Sequence, residues 1–145
     1  SVLSEQGEAE AQAMADYCQT EMLWPDLAIV SPAQRTQATH AAFLQAGTSH
    51  SRRIVSDLYS AQKDKLFNII REIEDNIKVL LYVGHNPACA ELALALTGFG
   101  DRYAAQRMRF DFAPACLAVL DFDCQHWNEI TWGMGRLDRF RSPQK

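Results

Sequence analysis

The strongest constraint on the fold is a short apolar run, 79–83, that leads directly into Gly84-His85-Asn86-Pro87. A helical pattern from Ala88 to Thr97 follows this turn. An apolar run of this length, bounded by turn residues, predicts a buried strand. The sequence therefore predicts a strand, a turn and a helix. Its histidine lies at the turn, where an α/β sheet carries its functional groups.

The same arrangement occurs earlier in the chain. Leu27 to Val30 is too short and too apolar for an amphipathic helix, so it predicts a second buried strand. We expect Ser31 to cap the following helix and Pro32 to occupy its first position. Arg35 then lies in the first turn of that helix. An arginine at one strand end and His85 at another predict an anion site, with phosphate as the expected anion.

The remaining patterns predict further helices over 4–21, 62–76 and 89–96, with the helix after Pro32 stopping near Gly47. A weak strand is expected at 53–55, and two β-like runs at 115–122 and 127–132 flank a hairpin turn at 123–126. The arginines at 102, 107 and 109 form a basic patch after Gly100, which is either a solvated loop, the interpretation we favour, or a patch that helps to admit an anionic substrate. We interpret those at 136, 139 and 141 as a solvated tail. Strand, helix, strand, helix and a C-terminal hairpin predict an α/β fold, a mostly parallel sheet sandwiched by helices.

Composition narrows the function classes. The chain has 145 residues, enough for one domain with a real core. Its net charge of −4 disfavours nucleic acid as a partner. No apolar run approaches the roughly 18 residues of a membrane span, and no signal peptide is visible. The four cysteines form no C-x-x-C pair and no zinc-ligand spacing, so we interpret them as reduced thiols in a cytoplasmic protein.

Four segments, in this order, resemble the motifs of the histidine phosphatase superfamily, and within it the small phosphohistidine phosphatases of the SixA type. They are Leu3-Ser4-Glu5-Gln6-Gly7, Ser31-Pro32-Ala33-Gln34-Arg35-Thr36-Gln37-Ala38-Thr39, Asp57-Leu58-Tyr59 and Gly84-His85-Asn86-Pro87. Their order and spacing agree with the family along nearly the whole chain. The resemblance implies a phosphoglycerate mutase-like fold.

The resemblance also implies a mechanism. In the family a histidine attacks phosphorus and becomes phosphorylated, and water then hydrolyses the phosphoenzyme without a metal or other cofactor. Arg35 would hold phosphoryl oxygens as a fork, and His85 would donate to a further oxygen when protonated. Asp57 is the nearest candidate for the general acid. We interpret Asn86 as a helix cap and Pro87 as a first-turn residue.

One departure from the family concerns the nucleophile. The family carries it in an Arg-His-Gly or Arg-His-Ala motif at the end of its first strand, which lies in the middle of the sheet. This sequence contains no Arg-His pair. We therefore expect that 1–145 is a single histidine-phosphatase domain that lacks its first strand, and that an upstream segment supplies both the strand and the nucleophile.

Three functions remain open at this point. The leading hypothesis is a metal-independent phosphatase that acts on phosphohistidine in a protein such as a phosphorelay histidine domain. The same chemistry on a small phosphate ester is the first alternative. A non-catalytic phosphate-binding module that retains Arg35 and His85 is the second. We expect a cytoplasmic monomer that binds neither nucleic acid nor membrane.

Overall fold

The computed structural model describes residues 2–46 and 50–143, and it divides them into two compact units. The first unit comprises 2–46, 50–60 and 77–85, and the second comprises 61–76 and 86–143. Within the described residues, no helix has both the length and the apolar character needed to cross a membrane.

The first unit contains a parallel sheet with two helices. Its elements are α1 (Glu5–Thr20), β1 (Leu27–Val30), α2 (Gln34–Gln45), β2 (Ser51–Ile54), a 3-10 turn (Ser56–Leu58) and β3 (Leu80–Val83). The strand order is β2-β1-β3, and both pairs are parallel. All four residues of β1 are buried, because β1 is the central strand. This confirms the two strands that the apolar runs predict.

The predicted start of α1 is confirmed, because the Ser4 side chain accepts a hydrogen bond from the Gly7 N–H at 3.1 Å. The predicted start of α2 is wrong. That helix begins at Gln34, with Ala33 at the N-cap and no side-chain cap. Ser31 still belongs to the strand ladder, since its N–H donates to the Val83 carbonyl at 3.1 Å. The predicted stop near Gly47 lies outside the described residues, and α2 ends at Gln45.

The second unit combines three helices with a mixed sheet. Its elements are α3 (Lys63–Arg71), α4 (Ala88–Leu96), β4 (Thr97–Gly100), α5 (Arg102–Asp111), β5 (Leu117–Asp121), a 3-10 turn (Trp127–Glu129) and β6 (Gly135–Arg141). The strand order is β4-β6-β5, with β4 parallel and β5 antiparallel to β6. The α/β class with a C-terminal hairpin is thus confirmed.

Three predictions for this unit are wrong. Residues 127–132 contain a 3-10 turn at Trp127–Glu129 and no strand, and the partner of β5 is β6. The arginines expected in a tail are therefore strand residues, and Arg136 pairs with the Asp121 carboxylate. The basic segment expected as a loop is α5, whose first turn is capped by the Asp101 side chain at the Ala104 N–H, 2.8 Å away.

Candidate functional site

The site begins where two neighbouring strands of the first unit end. Val30 of β1 lies opposite Val83 of β3, so the residues after them, Ser31 and Gly84, leave the sheet side by side. His85 follows Gly84 directly. Adjacent parallel strands bring their carboxyl ends to one edge of a sheet, and this edge holds the polar groups that the two motifs supply.

His85 is fixed from both ring nitrogens. Its Nε2 lies 2.7 Å from Ser31 Oγ, and its Nδ1 lies 3.3 Å from Arg35 Nη2. Because a guanidinium can only donate, Nδ1 must accept, and the neutral ring carries its proton on Nε2. Nε2–H therefore donates to the Ser31 hydroxyl. Burial and the neighbouring Arg35 charge lower the pKa of His85 below its usual 6.5, so the ring is neutral at pH 7.

Arg35 lies exposed on the first turn of α2. Below it, buried Thr36 donates its hydroxyl to the Ser31 carbonyl at 2.7 Å and to the Ala33 carbonyl at 2.9 Å. These bonds hold the turn between β1 and α2 in one conformation. A helix start without a side-chain cap keeps backbone N–H groups available to an anion. The guanidinium and this helix end therefore favour negative charge at the same place.

A cavity of about 380 Å³ opens in front of these groups, lined by Ala33, Arg35, Tyr59 and His85. The structure thus brings together the two residues that the sequence predicts for phosphate contact. The turn requires glycine at position 84, because a Cβ on Gly84 would collide with the Tyr82 ring. An anion bound in the cavity would accept hydrogen bonds from Arg35, which would then no longer donate to His85 Nδ1. The negative charge of the anion would favour protonation of Nδ1, and Nδ1–H would donate to the anion.

Asp57, the predicted acid, lies exposed on the 3-10 turn, two residues before Tyr59. The side chains that line the cavity are those of the four residues above, and the role of Asp57 stays a prediction. Asn86 does not cap α4: Pro87 occupies its N-cap position, and no side chain caps the helix. Both are exposed.

Sequence reasoning missed two contributors. Ser31 was expected to cap α2, but its hydroxyl holds His85 instead. The sequence predicts both strands but not that they are neighbours, and it is this adjacency that brings Ser31 beside Gly84. Tyr59 was part of a motif without a role, and it forms a wall of the cavity.

The donor set offers no metal site in the part of the chain that the structure describes. In 2–46 and 50–143, no three His, Cys, Asp or Glu side chains lie close enough together to hold a metal ion. The groups at the cavity are a guanidinium, an imidazole and a phenol ring, which suit an anion rather than a cation.

Comparison with known protein sequences finds relatives of 28–29% identity along nearly the whole chain. No model of a known protein family matches the chain. The uncharacterized protein ML1117 of Mycobacterium leprae is 29% identical over 98% of this chain and 86% of its own length. The uncharacterized protein Rv1276c of Mycobacterium tuberculosis is 28% identical over 98% of this chain and 89% of its own.

Solved structures are more informative. A candidate phosphohistidine phosphatase SixA from Agrobacterium tumefaciens superposes with a TM-score of 0.81 at 27% identity, covering 98% of this chain and 83% of that one. The corresponding candidate from Nakamurella multipartitia gives 0.86 at 22% identity, covering 99% and 86%. The protein histidine phosphatase SixA complexed with tungstate gives 0.72 at 18% identity, covering 99% and 85%. The two structures below 25% identity show the shared fold, and the Agrobacterium tumefaciens structure at 27% also supports phosphatase chemistry in general.

Proposed function

We propose that this chain, which has the fold of the SixA-type histidine phosphatases, removes phosphate from phosphohistidine on a protein substrate. One observation carries the proposal. Arg35 and His85 converge on one cavity, and Ser31 fixes the orientation of the imidazole. Phosphoryl transfer depends mainly on positioning and on stabilising charge over the equatorial oxygens, and these groups supply both.

The proposed mechanism has two steps. A histidine nucleophile attacks phosphorus while the P–N bond to the substrate imidazole breaks. The substrate ring is protonated on its other nitrogen, so it takes the bond pair and leaves as neutral imidazole. Water then attacks the phosphoenzyme, which releases inorganic phosphate and restores the nucleophile. Arg35 and protonated His85 would bind the oxygens in both transition states. No step requires a metal, because the arginine and imidazole provide the positive charge.

We propose that the nucleophile lies in an Arg-His motif outside residues 1–145, as the family resemblance implies. Intact mass and N-terminal sequencing of the gene product test this part directly. Acid-labile, base-stable phosphate on that histidine after brief exposure to substrate would identify the intermediate. A phosphorelay histidine domain is the proposed partner, while the monomeric state and the cytoplasmic location stay predictions.

The activity test compares substrates on the full-length gene product. We expect release of phosphate from a phosphohistidine-containing protein, little release from sugar phosphates, and no effect of EDTA. Turnover of the sugar phosphates alone would favour the small-ester alternative. Vanadate binding without any turnover would favour the non-catalytic binding module.

Variants tie the activity to the site. Arg35→Gln and His85→Gln should each lower kcat/KM by roughly a hundredfold or more, the usual loss when one transition-state donor is removed. Arg52→Gln, on exposed β2, and His126→Gln, on an exposed turn, are matched controls. Near-normal rates in both site variants would contradict the site assignment.

A further inference from the structure

We infer that Tyr59 is a stacking platform for the leaving group, so that this site selects phosphoryl groups attached to an aromatic ring. The inference rests on the proposed function, since phosphohistidine carries its phosphorus directly on an imidazole. It assigns a role to a side chain that the two-step mechanism does not use.

The Tyr59 side chain is highly exposed although it forms a wall of the cavity. It is 63% exposed, and its ring centroid lies 6.0 Å from that of His85, with the two planes inclined at 62°. A tyrosine that served only packing would bury most of its ring. Here much of the ring faces the space in front of the phosphate-binding groups.

The backbone that carries this ring is firmly held. Leu58, its neighbour, is 1% exposed and anchors the turn in the core. The Leu58 N–H donates to Val55 O at 3.0 Å, and the Tyr59 N–H donates to Ser56 O at 3.2 Å. The Val55 N–H in turn donates to Val30 O of β1 at 3.0 Å. An exposed aromatic on a fixed turn loses little conformational entropy when a ligand ring stacks on it.

The cavity wall has a polar part and an apolar part. Arg35 and His85 provide positive or hydrogen-bonding groups, whereas Ala33 and Tyr59 provide a methyl group and an aromatic ring. A phosphoryl group bound by the first pair leaves its substituent to meet the second pair. A flat imidazole gains offset or edge-to-face contact with Tyr59, which a substrate without a ring cannot make.

The kinetic test compares free phosphohistidine with phosphoramidate, which has the same P–N bond and no ring. Tyr59→Ala in the full-length gene product should raise KM for phosphohistidine by about three- to tenfold, the value of one aromatic pair. Its KM for phosphoramidate should stay within about twofold of wild type. The kcat should change little in either case, and Tyr59→Phe should behave like wild type. Tyr103→Ala, at an exposed tyrosine on α5, is the matched control.

Two outcomes would overturn the inference. KM could rise equally for both substrates, which would mean that Tyr59 only shapes the cavity. Alternatively, Tyr59→Phe could lose as much as Tyr59→Ala, which would assign the effect to the hydroxyl.

A binding measurement separates this inference from the proposed function. Phenylphosphonate carries phosphorus directly on a ring, as phosphohistidine does, and methylphosphonate lacks the ring. Calorimetry should show tighter binding of phenylphosphonate to wild type, and Tyr59→Ala should reduce this preference by about three- to tenfold. If wild type prefers phenylphosphonate to methylphosphonate but does not turn over phosphohistidine, only the proposed function is refuted. An unchanged preference in Tyr59→Ala would refute only the role of Tyr59.

Discussion

At the residue scale, the Ser31–His85 contact sets the orientation of the imidazole in the site. A serine at a strand end can cap the next helix or bond to a neighbouring strand end, and the sequence pattern favours the cap. The structure shows the second arrangement, with Oγ 2.7 Å from Nε2 and Ser31 fully buried. The hydroxyl therefore holds Nε2 and leaves Nδ1 on the side of Arg35.

Removing this hydroxyl should weaken catalysis without removing the site. In Ser31→Ala the imidazole loses its acceptor and can rotate, so we expect kcat/KM to fall by roughly tenfold, the value of one hydrogen bond. Steady-state kinetics on phosphohistidine would measure this, with Ser60→Ala, at an exposed serine, as the matched control. A Ser31→Ala enzyme with wild-type kcat/KM would show that the bond does not position His85.

The pH dependence of anion binding follows from the lowered pKa of His85. The free site holds this imidazole neutral at pH 7, and a bound anion raises its pKa again. Affinity is therefore highest at low pH and falls as pH rises through the pKa of the complex, by at most about tenfold per pH unit. Sulfate is a suitable probe because it does not itself titrate between about pH 5 and pH 8.

Calorimetric titration of sulfate across that range would measure this slope. His85→Gln should bind more weakly at low pH and show a nearly flat profile. Arg35→Gln should bind more weakly at every pH and keep the slope. A flat profile in wild type would mean that His85 does not take up a proton when an anion binds.

At the element scale, α5 shows why local pattern was insufficient. Three arginines after Gly100 suggested a solvated loop, yet Ala104 and Met108 lie one turn apart and are buried against Leu137 and Phe140 of β6. The Asp101 cap was readable from the sequence, but its helix has a narrow apolar face. Packing on the sheet, which the sequence does not show, decided its conformation.

Substitutions on two faces of α5 should differ sharply in their effects. Met108 is 1% exposed, so Met108→Ala should lower the free energy of unfolding by about 2–4 kcal/mol through lost burial and a residual cavity. Exposed Gln106 is the matched control on the same helix, and Gln106→Ala should change stability by less than about 0.5 kcal/mol. Urea unfolding would measure both, and equal effects would contradict a helix docked through Met108.

The missed strand β6 has a similar explanation. Its large buried side chains, Leu137 and Phe140, are three positions apart, which does not fit the alternation of a regular strand. The register shifts between Val119 and Leu120 of β5, where Leu120 pairs with Leu137 and Val119 with Arg139. A bulge of this kind hides the strand from pattern analysis, because it places an extra residue between the two inward positions.

At the scale of the whole molecule, the sequence predicted the parts that depend on short apolar runs and on their order. The sequence predicted β1, β3 and a helix after each of them. It also predicted that Arg35 and His85 lie at one site, and the structure places the two side chains in contact. Ser31 and Tyr59 could not be assigned in this way. Their roles depend on which strand ends and turns face one cavity, which follows from tertiary register.

The two edges of the parallel sheet differ in charge and burial. Sheet edges that face water commonly carry charged residues. The edge strand β2 is of this kind, since it contains Arg52 and Arg53 and all of its residues are exposed. The opposite edge, β3, is apolar and mostly half-buried, and among the described strands it pairs with β1 alone. We therefore propose that the strand expected to carry the nucleophile pairs with β3.

Hydrogen exchange on the full-length gene product would test this pairing. The backbone N–H groups of a strand point alternately to its two sides. Those of β3 that point away from β1 are protected from exchange only if another strand lies on that side. We expect slow exchange for the amides of all four β3 residues, Leu80–Val83, as for the central strand β1. Fast exchange at alternate residues of β3, with β1 fully protected, would show that β3 is a true edge. The nucleophile would then have to be sought elsewhere in the gene product.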